Sequence, residues 1–476
     1  MSLLNSNLVV VISGSTGIGK SDVAAEICDL FRGMIVSADS VQAYQGVQIG
    51  ANQPTAAELE RTPHFLVNWI DYPRQSTYNA AEWTRDAIFV IQCLLSRQQI
   101  PPDANKDTQN TEEDPFQQQR RDRIWKDIQE ARSRKGYGND ETYAEPILPV
   151  VVGGTMMYLQ WLVHGRPADA LRPSKRALQK AQECIQQFQS KVVSKDNDEN
   201  DNSSSNWSDA VAFVASRGAI YQEQIQKLSG QDWYRLRRIL EVAFTVEEQH
   251  DQHQQEIYTG VREGGLSSLG LDVRCFFLCP NDRMKHTKNV DQRCELMIRQ
   301  GLLEETTDLA LSGRLPDMAA RAIGYRQALD YLVPSSASEP RKEGDQDAFQ
   351  EFINEFTTAT RRYAKKQMQW FRRDDDFVFV PVDLSLSPTE RVQKTAQEIA
   401  RMIQLSRPDY DKERCSESSL SAQIRRVNEE QGGKMKTYQF ERHILKPGSK
   451  EADEALQIAD LCSQRLQAKK ARKEDS

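Results

Sequence analysis

Residues 14–21 read Gly14-Ser15-Thr16-Gly17-Ile18-Gly19-Lys20-Ser21, a match to GxxxxGK[ST]. The chemistry such a run performs is anion binding. Its glycines let the backbone curl until several N–H groups converge on phosphate oxygens. A helix starting there adds the positive end of its dipole. Lys20 supplies a point charge, and Ser21 a hydroxyl for a Mg2+ ion carried by the phosphates. The pattern specifies a di- or triphosphate and does not single out ATP. Downstream, the apolar strand ending in Asp or Glu that an ATPase requires is missing; the candidate strand ends in Gly153-Gly154-Thr155 instead. A carboxylate does close another strand, at Asp39. It is suited to ligate metal or to take a proton from a nucleophile, with a helix cap as the plainer alternative.

These groups need elements that bring them together. Short β-branched or apolar runs at 8–12, 34–36, 147–152, 273–278 and 377–380 read as strands. Val23, Ala24, Ile27, Leu30 and Phe31 recur at helical spacing after the glycine loop. Strands alternating with helices predict an α/β fold, a P-loop-type parallel sheet flanked by helices, with a mainly helical inserted domain. In a parallel sheet the strand C-termini meet at one crevice, so Asp39 and 153–155 are expected to face the phosphate loop.

The chain has 476 residues, 38% hydrophobic and 28% charged, enough for a packed core. Its net charge of −7 argues against a general polyanion-coating protein but allows a local basic face. No apolar run approaches the roughly 20 residues of a membrane helix. Eight cysteines without CxxC spacing give neither a disulfide scaffold nor a zinc ribbon. The expected organisation is a first part of the core at 1–167 with a polar, partly helical or mobile insertion at 102–145. A helical insertion follows at 168–231, then the rest of the core at 232–400. The tail at 401–476 is polar, with disorder as one expectation and RNA contact or import as the other.

In order and type, several blocks resemble the tRNA dimethylallyltransferases, also called tRNA isopentenyltransferases. They are 14–21, Ser37-Ala-Asp-Ser-Val-Gln-Ala-Tyr44, Pro63-His64, Gly153-Gly-Thr-Met-Met-Tyr158 and Arg235-Leu-Arg-Arg-Ile-Leu-Glu241. Ile323-Gly-Tyr-Arg-Gln327 and the run 360–372 complete the set. The resemblance spans roughly 8–382 and implies that the 168–231 insertion binds tRNA. It implies transfer of a five-carbon prenyl group from dimethylallyl diphosphate to N6 of the adenosine 3′ to the tRNA anticodon. It further implies that 14–21 with Gly153, Gly154 and Thr155 hold the donor, with Mg2+ on Ser21. Asp39 is the implied base, with Thr16 near the bridging oxygen and either Arg235 or Arg238 as the cation on the leaving group. Ser40, Gln42 and Tyr44 fall where the target base would be read.

Arg361, Arg362, Lys365 and Lys366 form a basic stripe on a helix at 351–373, extended by Arg372 and Arg373, with Phe352, Phe356, Tyr363 and Trp370 on the packed side. Arg326 and Gln327, with Arg321 and Tyr325, are further RNA candidates. Two departures from the family pattern stand out. Residues 51–54, Ala-Asn-Gln-Pro, lack its Thr and Lys, which predicts a weaker RNA contact. Cys415, Cys462 and His443 are too few and wrongly spaced for the zinc finger of eukaryotic relatives; His250 and His253 read as surface residues. A cytoplasmic monomer is expected. The rivals are a cytokinin-forming adenylate isopentenyltransferase, a P-loop kinase of a small molecule, and a non-catalytic RNA-binding descendant. The first two leave the basic helix without a role, and intact Thr16, Lys20, Ser21 and Asp39 argue against the third.

Overall fold

The computed structural model describes residues 7–75, 78–96, 115–137, 146–167, 174–190, 202–226, 228, 232–249, 262–333, 344–435 and 438–474. His250 and His253 lie outside them. The chain divides into two compact units, one of Met1–Gly165 with Gly264–Ser476 and one of Arg166–Glu263.

The strands in chain order are β1 (Leu8–Gly14), β2 (Gly33–Ser37), β3 (His64–Phe65), β4 (Leu148–Val152), β5 (Arg166–Pro167), β6 (Arg262–Glu263), β7 (Asp272–Pro280) and β8 (Phe377–Val382). The first unit is built on a six-stranded sheet in the order β3-β2-β4-β1-β7-β8. All its pairs are parallel. Both faces are covered, which is why β1 reads as an unbroken apolar run. Val9 and Val11 enter one core with Val36, Val151 and Phe277. Leu8, Val10 and Ile12 enter the other with Ile35, Val150 and Leu278.

The helices follow the same division. In chain order, those of eight residues or more are α1 (Lys20–Phe31), α2 (Ala80–Leu95), α3 (Pro115–Arg134) and α4 (Met156–His164). Then come α5 (Lys175–Ser190), α6 (Asn202–Ala215), α7 (Ala219–Gln226) and α8 (Trp233–Gln249) in the second unit. The first unit resumes with α9 (Arg283–Arg299), α10 (Leu302–Ser312), α11 (Tyr325–Leu332), α12 (Gln346–Phe371) and α13 (Pro388–Ile403). It ends with α14 (Arg407–Cys415), α15 (Leu420–Lys434) and α16 (Lys450–Glu474). Helices α1, α13 and α14 cover the second core, the others of this unit the first. Caps are written locally: Ser387 accepts from Glu390 N–H while Glu390 reaches back, with Pro388 opening α13.

Two expectations differ in the structure, the limit of the insertion and the state of the tail, while the partly helical reading of 102–145 agrees with it. The insertion is not 168–231 but runs on to Glu263. The reason is that α8 supplies Leu236, Leu240, Ala243 and Phe244 to the core it shares with Ala177, Ala181 and Ile185 of α5; a cut at 231 would split that core. Within 102–145, α3 is a packed helix. Its Ile124 and Ile128 are buried, and buried Arg132 donates to the carbonyls of Cys93, Leu94 and Ser96 at the end of α2. The tail is not a solvated strand of chain. Tyr410 packs on Phe276, ring centroids 6.2 Å apart. Ala452, Ala455, Leu456, Ala459 and Cys462 form the buried stripe of α16. That stripe is mostly alanine, so its apolar content is low while its periodicity is helical.

Among the described residues no helix is long and apolar enough to cross a membrane.

Candidate active site at the strand ends

β1 delivers the chain into the glycine loop, where Gly17 and Gly19 take φ of 76° and 94°, a region costly to residues with a Cβ. Lys20 opens α1 and donates to the carbonyls of Gly14 and Ser15, 3.1 Å each. Burial, and then the like charge of Arg293, lower its pKa to about 8, while Asp39 pulls the other way. His286 of α9 places Nε2 3.0 Å from the Thr16 carbonyl and 3.2 Å from Ser15 Oγ. Burial holds its pKa near 4, so at neutral pH it carries one proton, on Nε2, given to that carbonyl.

β2 and β4 close the crevice. Ala38 N–H donates to Val152 O at 2.7 Å, Ser40 N–H to Thr155 Oγ1 at 3.1 Å, and Ser13 Oγ to Gly153 O at 3.0 Å. Gly153 is required here, because a Cβ would sit 2.1 Å from the Ala38 carbonyl oxygen. Helix α12 ties the two edges together through Gln367. Its Oε1 accepts from Thr16 N–H at 2.8 Å and its Nε2 donates to Gly154 O at 3.1 Å, a carbonyl that Tyr363 OH also reaches at 3.0 Å.

Asp39 stands at the end of β2. Oδ1 accepts the N–H groups of Val41 (2.9 Å) and Gln42 (3.2 Å), which fixes the carboxylate plane. Oδ2 has no hydrogen-bond partner among the described residues. A cleft of about 670 Å³ is lined by Lys20, Ser21, Asp39, Gly154, Arg293 and Gln367, among others. Thr16, Gly17, Ile18, Gly19, Gln42 and Gly153 line it too, as do Asp22, Glu58 and Arg391. Arg293 and Asp39 interact electrostatically, as do Lys20 and Asp39. A carboxylate oxygen, two cations and a ring of loop amides therefore share one cavity.

Other expected site residues are placed differently. Tyr44 is 1% exposed and belongs to the core, so it offers no surface to RNA. The Gln42 amide is engaged at both ends: it accepts from Ser37 Oγ at 3.0 Å and donates to the carbonyls of Asn52 and Ala51 at 2.8 and 3.2 Å. It thus orders the loop 51–53. Gln327 Oε1 accepts Gly324 N–H at 2.9 Å as a helix cap, and Tyr325 is buried with its OH on Glu305. Arg326 is exposed beside Asp330.

Arg361 is not a free cation of the stripe. It pairs at 2.7 Å with Asp291, whose side chain is fully buried. Arg362, Lys365, Lys366 and Arg373 are exposed. Phe352 and Phe356 pack as expected, but Trp370 is 41% exposed, placed between Lys366 and Arg373 on the outer side, and Tyr363 serves the crevice. Arg235 and Arg238 lie on α8 in the second unit, where Arg235 pairs with Asp232 at 3.4 Å and Arg238 with Glu241. His164 sits between Asp374 at 2.9 Å and Asp376 at 3.4 Å. Their ligand atoms lie within 4.8 Å of one another, and none of the three lines the cleft.

Sequence reasoning missed Arg293, His286 and Gln367. Each is an isolated polar residue on an amphipathic helix far along the chain. The legible trace was Gln367 itself, a buried amide one turn beyond Tyr363, too long to return its polar end to its own helix as buried Thr357 and Thr360 do.

A glycine loop between strand and helix, with a carboxylate at the neighbouring strand end, makes this a P-loop α/β protein equipped for group transfer from a phosphorylated donor. The model of the IPP transferase family matches residues 42–101 and 138–374, and that of isopentenyl transferase residues 7–71. The chain belongs to the IPP transferase family. It is 30% identical over 391 residues to tRNA dimethylallyltransferase 9 of Arabidopsis thaliana, covering 76% of this chain and 69% of that protein. It is 26% identical over 382 residues to the tRNA dimethylallyltransferase of Protochlamydia amoebophila, covering 80% and 86%. A crystal structure of a eukaryotic dimethylallyltransferase acting on tRNA aligns with a TM-score of 0.49 at 17% identity, over 98% of this chain and 99% of that one.

Proposed function

We propose that this enzyme transfers the dimethylallyl group of dimethylallyl diphosphate to N6 of the adenosine 3′-adjacent to the anticodon in tRNA, releasing diphosphate. The observation that carries the chemistry is the free Oδ2 of Asp39 in a cleft shared with Lys20 and Arg293.

The amides of 14–21 and the Lys20 ammonium hold the donor's diphosphate. Arg293 adds a second cation where negative charge gathers as the allylic C–O bond breaks; interactions that strengthen at that point raise the rate. Thr16 is the hydroxyl donor nearest the bridging oxygen in this scheme, with its backbone fixed by Gln367 and His286. Gly153 and Gly154 line the same cleft, and Thr155 accepts Ser40 N–H beside them. An exocyclic adenine amine is a poor nucleophile because its lone pair is delocalised. Asp39 Oδ2 takes its proton as N6 attacks, while Oδ1 stays on the Val41 and Gln42 amides.

Ser21, Asp22 and Glu58, which line the cleft together with Lys20, offer oxygen donors of the type Mg2+ prefers. A bound Mg2+ supplies neutralisation of the diphosphate charge. The acceptor base must be turned out of its stack to reach Asp39. Arg362, Lys365, Lys366 and Arg373 are placed to hold anticodon-stem phosphates, with Trp370 as a stacking surface among them and Arg326 and Ser40 as further contacts. A kinase or an adenylate prenyltransferase leaves that face without a role. We expect a cytoplasmic monomer.

The test is incubation with radiolabelled dimethylallyl diphosphate and unmodified tRNA, AMP or no acceptor. Label in tRNA alone is the expected result; label in AMP but not tRNA, or no transfer with ATP consumption instead, rejects it.

A further inference from the structure

Helix α9 lies between the phosphate loop and the C-terminal segment. On one face His286 reaches the loop while Asn289 and Arg293 line the cleft, a spacing of i, i+3, i+7. Three of its other polar residues, Arg283, Asp291 and Glu295, are held by chain beyond residue 427. Arg283 donates Nη1 to Asn428 O at 3.1 Å, and its N–H to Gln431 Oε1 at 2.9 Å. Asp291 accepts Tyr438 OH at 2.6 Å. Glu295, 0% exposed, accepts the backbone N–H groups of His443 (3.1 Å), Ile444 (2.6 Å) and Leu445 (2.7 Å).

The same segment holds α12. Arg442 donates to Gln350 O at 2.7 Å, Gln350 Oε1 at 2.6 Å and Asn354 Oδ1 at 3.0 Å. The Phe440 ring lies 5.2 Å from the Arg361 guanidinium, which itself bridges α12 to Asp291. Helices α9 and α12 both bond the phosphate loop, through His286 and Gln367.

We propose that residues 438–445 are a strap that sets the diphosphate site by fixing the rotation and axial register of α9. Tyr438 and Glu295 are its positioning residues, and Arg293 and His286 are what they position. A buried carboxylate must keep its donors, because an unpaired one pays the full cost of desolvation. Three amides converging on Glu295 therefore leave α9 one acceptable register. A turn of the helix that loosened this clasp would also carry Arg293 away from Lys20 and Asp39. Apolar closure of the tail comes from the alanine stripe of α16 and from buried Leu445, so what Tyr438 and the Glu295 clasp add is polar and directional.

This inference rests on the cleft being a diphosphate site, and the test separates the two. Inorganic diphosphate with Mg2+ is titrated calorimetrically into the full chain and into Tyr438→Phe and Glu295→Gln, well below their melting temperatures. Affinity for tRNA is measured in parallel. The expected result is diphosphate binding weakened about fivefold, the order of one lost hydrogen bond, with tRNA affinity unchanged. Diphosphate affinity equal to the parent with only a lowered melting temperature overturns the strap. Equal weakening of both ligands also overturns it, by making the tail a general scaffold. Failure of the unaltered chain to bind diphosphate overturns the reading of the cleft and the strap with it, before any variant is compared.

Discussion

Asp39 and Lys20 divide the chemistry between them, and each predicts a separable defect. Asp39→Asn keeps the Oδ1 contacts to Val41 and Gln42 and removes the proton acceptor, so single-turnover transfer should fall by about 10²-fold or more with tRNA affinity retained. Substantial residual turnover removes Asp39 as base. The pKa of Lys20, near 8, means the free site loses its ammonium as pH rises through that value, so kcat/KM for the donor should decline there. His286 carries the opposite sign of consequence. Its folded pKa of about 4 lies below the unfolded value, so the unfolded chain binds the proton first and stability is lost as pH falls from about 6.5 toward 4. His286→Asn should flatten the melting temperature across that window; an unchanged slope rejects His286 as the source. At this scale the phosphate loop was legible, because its chemistry is performed by contiguous backbone. Arg293, His286 and Gln367 were not, since nothing local distinguishes a helical polar residue that meets a loop some 270 or 350 positions earlier.

Helix α12 is the element whose sequence was readable and partly misread. The basic stripe is real in periodicity, but Arg361 turns inward to satisfy a buried carboxylate while Arg362, Lys365, Lys366 and Arg373 stay outside. These two groups should separate under mutation. Replacing Arg362, Lys365 and Lys366 by alanine should weaken tRNA binding and lower the slope of log K against log salt by about 2 to 3, with the melting temperature unchanged. Arg361→Ala should instead destabilise the fold by about 3 kcal/mol, measured by denaturant titration, because Asp291 is left buried and less well paired. If the two variants behave alike, the assignment fails. The strands were legible because two-sided burial writes them as apolar runs, whereas β3, a mere His64–Phe65, is too short to carry a pattern. The alanine stripe of α16 was missed for a related reason: its signal lies in spacing and not in hydrophobic content.

Over the whole molecule, the expected polar tail proves to be part of the first unit. Ala459 has no exposed surface, so Ala459→Arg should overfill the contact between α16 and the body and open the C-terminal segment to limited proteolysis. Resistance equal to the parent would show that α16 tolerates the change. The inserted unit was visible as a helical region, but its limit was not, because α8 carries family-like residues on one side and core leucines on the other. One feature links the two ligands of the molecule. A single rod, α12, bears the outward cations and also, through Gln367, clamps the amide of Thr16 to the carbonyl of Gly154. Whatever nucleic acid stiffens that rod must also stiffen the cradle beneath it. By reciprocity of linkage, occupancy of the cradle then raises the grip on the nucleic acid by an equal factor, so neither dissociation constant is a fixed property until the concentration of the other ligand is stated.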